Sequence, residues 1–260
     1  MRKSLVTIAV LGTLALPTAV FAADAAPAAA PAPAYTISYN VGLFSQYVFR
    51  GLTQTDEKPA LQAGVDFAHS SGFYLGAWGS NVSWLQDGDY YENSSLELDI
   101  YGGYANSIGD IGYNIGALQY IYPGNDISST YVNAETTEVY GSLSYKWLQA
   151  KASVVVSDGA FANANARGTY YAELNANIPL ADSGVTANLH VGRQEYDGNG
   201  NSNDDLFSYT DWKVGATKTF SNGVNVGAYY SDSNAKDLGY TILGKNIGDS
   251  TFTAFVQKTF

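Results

Sequence analysis

From Tyr35 onward the chain alternates. Tyr35, Ile37, Tyr39, Val41, Leu43, Tyr47 and Phe49 share one parity, while Thr36, Ser38, Asn40, Gly42, Gln46 and Arg50 fill most of the other. A period of two with one greasy and one polar face marks a strand lying between two different environments. The pattern recurs in runs at about 58–69, 73–84, 94–105, 111–122, 135–147, 151–158, 168–178, 185–196, 209–220, 224–231 and 250–260. Leu96, Leu98 and Ile100 oppose Glu97, Asp99 and Tyr101; Tyr170, Ala172 and Leu174 oppose Tyr171, Glu173 and Asn175. The run at 73–84 is apolar on both parities and that at 151–158 is short and Val-rich, so neither declares its facing.

The connections alternate as well. SSG, NSIGD, LQA, LADSG and SNG are short; RGLTQTDE, QDGDYYEN, PGNDISSTYVN, DGAFANANAR, DGNGNSNDD and DSNAKDLGYTILGKNIGD are long and polar. A soluble sandwich shows the same in-out pattern but has no reason to keep short turns at one end and long loops at the other. That asymmetry belongs to outer-membrane barrels. The expected fold is all-β: one transmembrane, antiparallel, up-and-down β-barrel of about 12 strands over residues 35–260. Both termini then lie at the short-turn, periplasmic end. YVFRG is where the first strand leaves the membrane, LTQTDEK is the first external loop and PALQAG begins the return. Two aromatic girdles are expected: Tyr35, Phe73, Tyr104, Tyr145, Trp147, Phe220 and Phe260 at the short-turn ends, and Tyr47, Phe49, Tyr120, Tyr122, Tyr170 and Tyr209 at the long-loop ends.

The first 22 residues change the cellular picture. Arg2 and Lys3 precede the apolar stretch Leu5–Leu16, and Val20-Phe21-Ala22 fits a small-residue cleavage site. This reads as a cleaved signal peptide over 1–22, too short to span a bilayer, and residues 23–34 read as an Ala/Pro linker. Removal of 1–22 leaves 11 Lys+Arg against 24 Asp+Glu, a net charge near −13. Such a chain has no basic patch for nucleic acid. It contains no cysteine, 21 tyrosines and 27 glycines, which excludes thiolate chemistry and suits strands and tight turns. No apolar run of the mature chain is long enough for a spanning helix, so entry into a membrane requires a closed barrel. The terminal Phe260 on an alternating run is similar to the signal read by the outer-membrane assembly machinery, although Lys258 departs from that pattern.

The run NVGLFSQYVFRGLTQTDEKPALQAGVDFAHSSGFYLGAWGSNVSW, with LELDIYGGY, TTEVYGSLSYKW, TYYAELNANIPL and the terminal KTF, resembles the TorF-type porin family of exported proteobacterial barrels. The resemblance covers most of the mature chain, with YVFRG its most specific part. It implies an outer-membrane barrel for passive transport, with no defined substrate and no catalytic residues.

If the apolar parity faces lipid, the polar parity lines the lumen. The charged lumen candidates are Arg50, Asp66, Glu97, Asp99, Glu138, Lys146, Glu173, Asp211 and Lys213, with His190 at mid-strand. In the upper half the acids are expected to meet Arg50 and Lys213 across the pore. An excess of carboxylates favours cations, which points to a narrow, mildly cation-selective channel for small polar solutes or ions. The alternative from the same residues is that the charges pair and close the lumen, leaving a structural or adhesive barrel that acts through its loops. Asp87, Asp89, Asp126, Asp197, Asp204 and Asp205 form a second acidic set in the loops, suited to solvent or to bridging lipopolysaccharide through divalent ions. No metal site or cofactor motif is present, since DGNGNSNDD lacks the spacing and closing Glu of a calcium loop. An enzyme would need a histidine beside a nucleophile or carboxylate. His69 sits by a short turn on the outer parity, and His190 has no nucleophile adjoining it in sequence.

Overall fold

The computed structural model describes residues 33–125, 127, 133–197 and 204–260. The expected signal peptide, most of the linker, Asp126 and residues 198–203 lie outside them. In chain order the strands are β1 (Tyr35–Phe44), the short pair β2 (Val48–Phe49) and β3 (Leu52–Thr53), β4 (Ala60–His69), β5 (Phe73–Asn81), β6 (Leu96–Ile108), β7 (Ile111–Ile121), β8 (Thr136–Tyr145), β9 (Leu148–Val155), β10 (Tyr170–Pro179), β11 (Val185–Glu195), β12 (Tyr209–Thr219), β13 (Val224–Ser233), the short pair β14 (Thr241–Ile242) and β15 (Lys245–Asn246), and β16 (Thr251–Thr259).

The twelve long strands close into one antiparallel barrel, in the ring order β1-β4-β5-β6-β7-β8-β9-β10-β11-β12-β13-β16. Each pairs with its neighbour in sequence, and β1 meets β16 to leave no edge. The expected all-β, 12-stranded barrel is therefore the fold observed. Short turns and long loops segregate to opposite ends, with both ends of the barrel chain at the short-turn end. The tight turns rest on residues that tolerate a left-handed backbone, such as Gly223 at φ +82°.

Parity holds along the wall. Ile37, Leu43, Leu61, Phe73, Leu98, Ile115, Leu143, Leu174, Val214 and Val256 point outward and are exposed. The ambiguous run resolves the same way, with Phe73 and Leu75 outside and Tyr74, Trp78 and Ser80 turned inward. A depression of about 680 Å³, floored by Gly141, Ala150, Ala152 and Ala172 and walled by Ile115, Leu143, Leu174 and Val191, belongs to this outer face and not to the lumen.

Three departures carry physical information. The expected turn LQA lies inside β9, and the chain reverses instead at Lys146-Trp147, where Lys146 takes φ +55°. Lys146 is thus an exposed turn residue over the Tyr145 ring and not a lumen residue. The long-loop girdle is only partly outside. Tyr170 is exposed, but Tyr47, Tyr120, Tyr122 and Tyr209 are buried and Phe49 packs on Tyr120 and Phe161. The first part of the expected external loop, Leu52–Thr55, folds back into the barrel together with the preceding residues, so that Gln46–Thr55 are buried apart from half-buried Phe49, while Glu57 and Lys58 stay exposed.

Candidate functional site: the long-loop half of the lumen

The infolded segment is built around a minimal hairpin. β2 pairs with β3, and the two residues between them, Arg50 and Gly51, have φ of +48° and +79°. Two consecutive positive φ values define the tight turn whose twist matches paired strands. The Arg-Gly of YVFRG thus forms a hairpin tip, and Gly51 supplies the conformation at no steric cost. The segment is tied at its base. Gln46 Nε2 donates to Thr251 Oγ1 at 2.5 Å, Thr53 N donates to the Ile247 carbonyl at 2.8 Å, and Ser83 N donates to the Gln54 carbonyl at 2.8 Å.

The tip crosses the bore. It leaves the wall between β1 and β4 and delivers Arg50 to residues of β8, β10 and β11 on the far side of the ring. Arg50 donates from Nη1 to Glu138 Oε1 (2.9 Å) and from Nη2 to Glu138 Oε2 (2.7 Å), a fork-on-fork pair, and again from Nη1 to Gln194 Oε1 (3.0 Å). Its guanidinium lies 4.4 Å from the Tyr171 ring centre and 4.7 Å from that of Phe49. Burial works against the charge on Arg50. Glu138, with Tyr120 and Tyr171 behind it, more than offsets this and holds its pKa above the usual arginine value. The expected meeting of the upper acids with Arg50 is realised by Glu138. Lys213, the other expected partner, has its ammonium 5.1 Å from the Tyr229 ring centre.

Around this latch the expected lumen residues fall into three groups. Glu97 accepts from Tyr47 Oη (2.7 Å) and Tyr122 Oη (2.9 Å), while its neighbour Asp99 is equally buried. Burial, followed by the charges of Glu97 and Asp99, pushes the Tyr47 hydroxyl well above its ordinary pKa and keeps it a donor. The second group joins β9 to β12. His190 Nε2 lies 2.9 Å from Tyr171 Oη and 3.0 Å from Asp211 Oδ1, and its Nδ1 lies 2.7 Å from Asn175 Oδ1. Tyr171 donates to Asp211 Oδ2, Asn175 donates to Glu173, and Lys151 reaches Glu173 at 3.8 Å. The third group lies nearer the short-turn end, where Tyr101 donates to Asp66 Oδ1 at 2.5 Å and Tyr74 joins Tyr140 and Asn114. Nine of the ten expected residues therefore lie in the barrel interior, Arg50 by way of the infolded hairpin, and Lys146 does not.

Glycines make room for this tyrosine lattice. A Cβ at Gly76 would collide with the Tyr101 ring, and one at Gly192 with the Tyr171 hydroxyl. Each tyrosine lies flat across a neighbouring glycine on the next strand.

Lys151 and the tyrosines Tyr47, Tyr120 and Tyr122 were not identified from sequence as lumen residues, whereas Tyr101, Tyr171 and Gln194 fell on the polar, lumen-facing parity outside the charged set. For the strand tyrosines the parity was available: Tyr120 and Tyr122 continue the inward set of β7, which contains Asn114 and Leu118. The hydrogen-bond partners of His190 are Tyr171, Asn175 and Asp211, with no serine or threonine hydroxyl among them, and His69 bonds the Ser71 hydroxyl at an exposed turn. Among the described residues no group of three or more His, Cys, Asp or Glu side chains is arranged to hold a metal ion.

Three comparisons set the chain among known proteins. A search of the curated proteins finds no match. Among solved structures, the KdgM porin aligns over 86% of this chain and 99% of its own at 8% identity and a TM-score of 0.49. Pseudomonas aeruginosa OprD aligns over 86% and 66% at 12% identity and 0.37, and a mutant Rh. blastica porin over 76% and 55% at 16% identity and 0.37. At those scores the likenesses carry no weight beside the barrel itself. The TorF-type name read from the sequence is confirmed by none of these comparisons. The family model that does match, over residues 28–260, is that of a bacterial protein of unknown function (Gcw_chp), and the chain belongs to that family.

Proposed function

We propose that this protein is a non-enzymatic outer-membrane channel of a Gram-negative bacterium, exported through a cleaved signal peptide, that passes small polar solutes or ions. One observation carries the reading: a closed barrel that is apolar outside keeps polar or ionisable side chains inside from end to end. Thr36, Ser38 and Asn40 begin that lining near the short turns, Asp66, Asn175 and His190 continue it, and Glu97, Glu138 and Asp211 finish it. Lipid accounts for the outer face, because unpaired apolar surface of this extent has no place in water. Water and solute account for the inner one, because charges are costly without water or partners. The outer surface meets outer-membrane lipid and lipopolysaccharide, and Phe260 on the closing strand is the contact for the assembly machinery. The acid excess makes the channel mildly cation-selective, with the hairpin at Arg50 as its narrowest point.

The second reading, a closed structural or adhesive barrel acting through its loops, has its own observation: Glu97, Asp99 and Glu138 are each only 1% exposed, so the long-loop end is tightly filled. Planar-bilayer recording of the purified barrel decides between them. Discrete conductance steps with a reversal potential favouring cations support the channel; silent bilayers from folded protein support the closed barrel.

A further inference from the structure

Three carboxylates sit together on the β6–β8 side of the long-loop end of the lumen, and two are fully engaged. Glu97 receives the Tyr47 and Tyr122 hydroxyls, and Glu138 receives both arms of Arg50 together with Tyr120. Asp99 differs. It lies two residues along β6 from Glu97 on the same face, it is 1% exposed, and neither Oδ1 nor Oδ2 has a hydrogen-bond partner. The like charges of Glu97 and Glu138 act on it, and Arg50, the cation at hand, is committed to Glu138. A buried carboxylate left this way calls for a further positive species.

We propose that Asp99 anchors a monovalent alkali cation in the upper lumen. Tyr47, Tyr120 and Tyr122 are its electrostatic neighbours. The hydroxyl protons of Tyr47 and Tyr122 are given to Glu97, so their oxygen lone pairs are left to face a cation. The charge of the ion follows from the donor set. Calcium and magnesium take six or more oxygen ligands or keep a firm water shell, and one free carboxylate among hydroxyls supplies neither. The Asp99 oxygens are shielded from a water-sized probe, so an ion that reaches them parts the covering side chains and sheds water on that side, and shedding water costs a singly charged ion less. Weak binding by one carboxylate also lets the ion leave. That the site lies on a conduction path rests on the channel reading; the binding itself does not.

Thermal unfolding of the purified, detergent-folded barrel tests it. At one ionic strength, sodium or potassium chloride is compared with choline chloride, whose cation is too bulky for the site. The Tm in sodium or potassium is expected to exceed that in choline by about 2–4 °C. Asp99→Asn removes the difference and Asp99→Glu keeps most of it. If Asp99→Asn does not fold, the wild-type series and Asp99→Glu decide. Equal Tm values in all three salts overturn the proposal. So does an infrared band of a protonated carboxyl at neutral pH that Asp99→Asn abolishes, because a proton then fills the place. The recordings separate this from the channel reading: silent bilayers with an alkali-dependent Tm remove the channel and keep the site, and conduction without that dependence does the reverse.

Discussion

The two halves of the lumen share one wall and differ in what fills it. Towards the short turns Thr36 is exposed and Ser38, Asn40, Ser144 and Asn177 are half-buried, so water reaches the lining. Its polar side chains pair along the wall, as Asn188 does with Asn177 and Thr217 with Asn188. Towards the long loops the lining is locked, with Arg50 bridging the bore and tyrosines capping the acids. A closed barrel of fixed strand number holds nearly one radius along its length. The contrast therefore comes from the segment threaded inside, ten residues of chain, while the wall only sets the frame.

The strongest way to break that comparison is to remove the segment. Replacing residues 48–57 with a short Gly-Ser turn, while keeping the base contacts of Ser45 and Gln46, should leave a folded barrel whose single-channel conductance rises several-fold. Unchanged conductance in bilayers would show that the wall, and not the hairpin, limits passage. A narrower cut is Arg50→Ala, which strands Glu138 as a buried, uncompensated charge. It should cost about 3–5 kcal/mol, read as a lower Tm in detergent, and Glu138→Gln in the same chain should recover part of the loss. A double-mutant cycle with no coupling would mean that the pair is not a latch. Gly192→Ala pushes a methyl group into the Tyr171 hydroxyl and should cost about 1–3 kcal/mol by thermal melt; a neutral result would show that the lattice is loose at this level. Least affected should be Lys146→Gly. Releasing a left-handed turn residue stabilises by roughly 1 kcal/mol or less, with conductance and selectivity unchanged. A shift in reversal potential would return Lys146 to the ion path.

The wall was legible because a strand writes its two faces into alternate residues, and every expected run has its strand. What threads the wall was not, because alternation says nothing once the chain leaves the sheet. Tyr47 and Phe49 keep the parity of Leu43, yet β1 ends at Phe44 and the next residues turn inward. Arg50 was placed in the upper lumen for the wrong local reason, as a strand residue, when it is the tip of a hairpin. Lys146 failed in the opposite way: Tyr145 and Trp147 carry the alternation straight through a two-residue reversal that no Gly or Pro marks. Lys151 was missed because its run, KASVVV, is short and Val-rich: Val155 follows Lys151 and Ser153 on one parity while Val154 and Val156 occupy the other, so the facing is not declared. The pairing of Arg50 with Glu138 joins residues 88 positions apart and depends on which strands face each other across a closed ring, a fact that no local pattern holds.

The seam where the ring closes has a consequence for biogenesis. β1 pairs with β4 from Tyr35↔His69 to Phe44↔Ala60, but with β16 only from Asn40↔Thr259 to Phe44↔Phe255. Ser45 and Gln46 extend that short zip by bonding Ala254, Thr251 and Phe252. Until the final strand arrives, both borders of the sheet are sticky templates for any other extended polypeptide. A chaperone that escorts the unfinished sheet must therefore mask two raw margins at once and surrender them together.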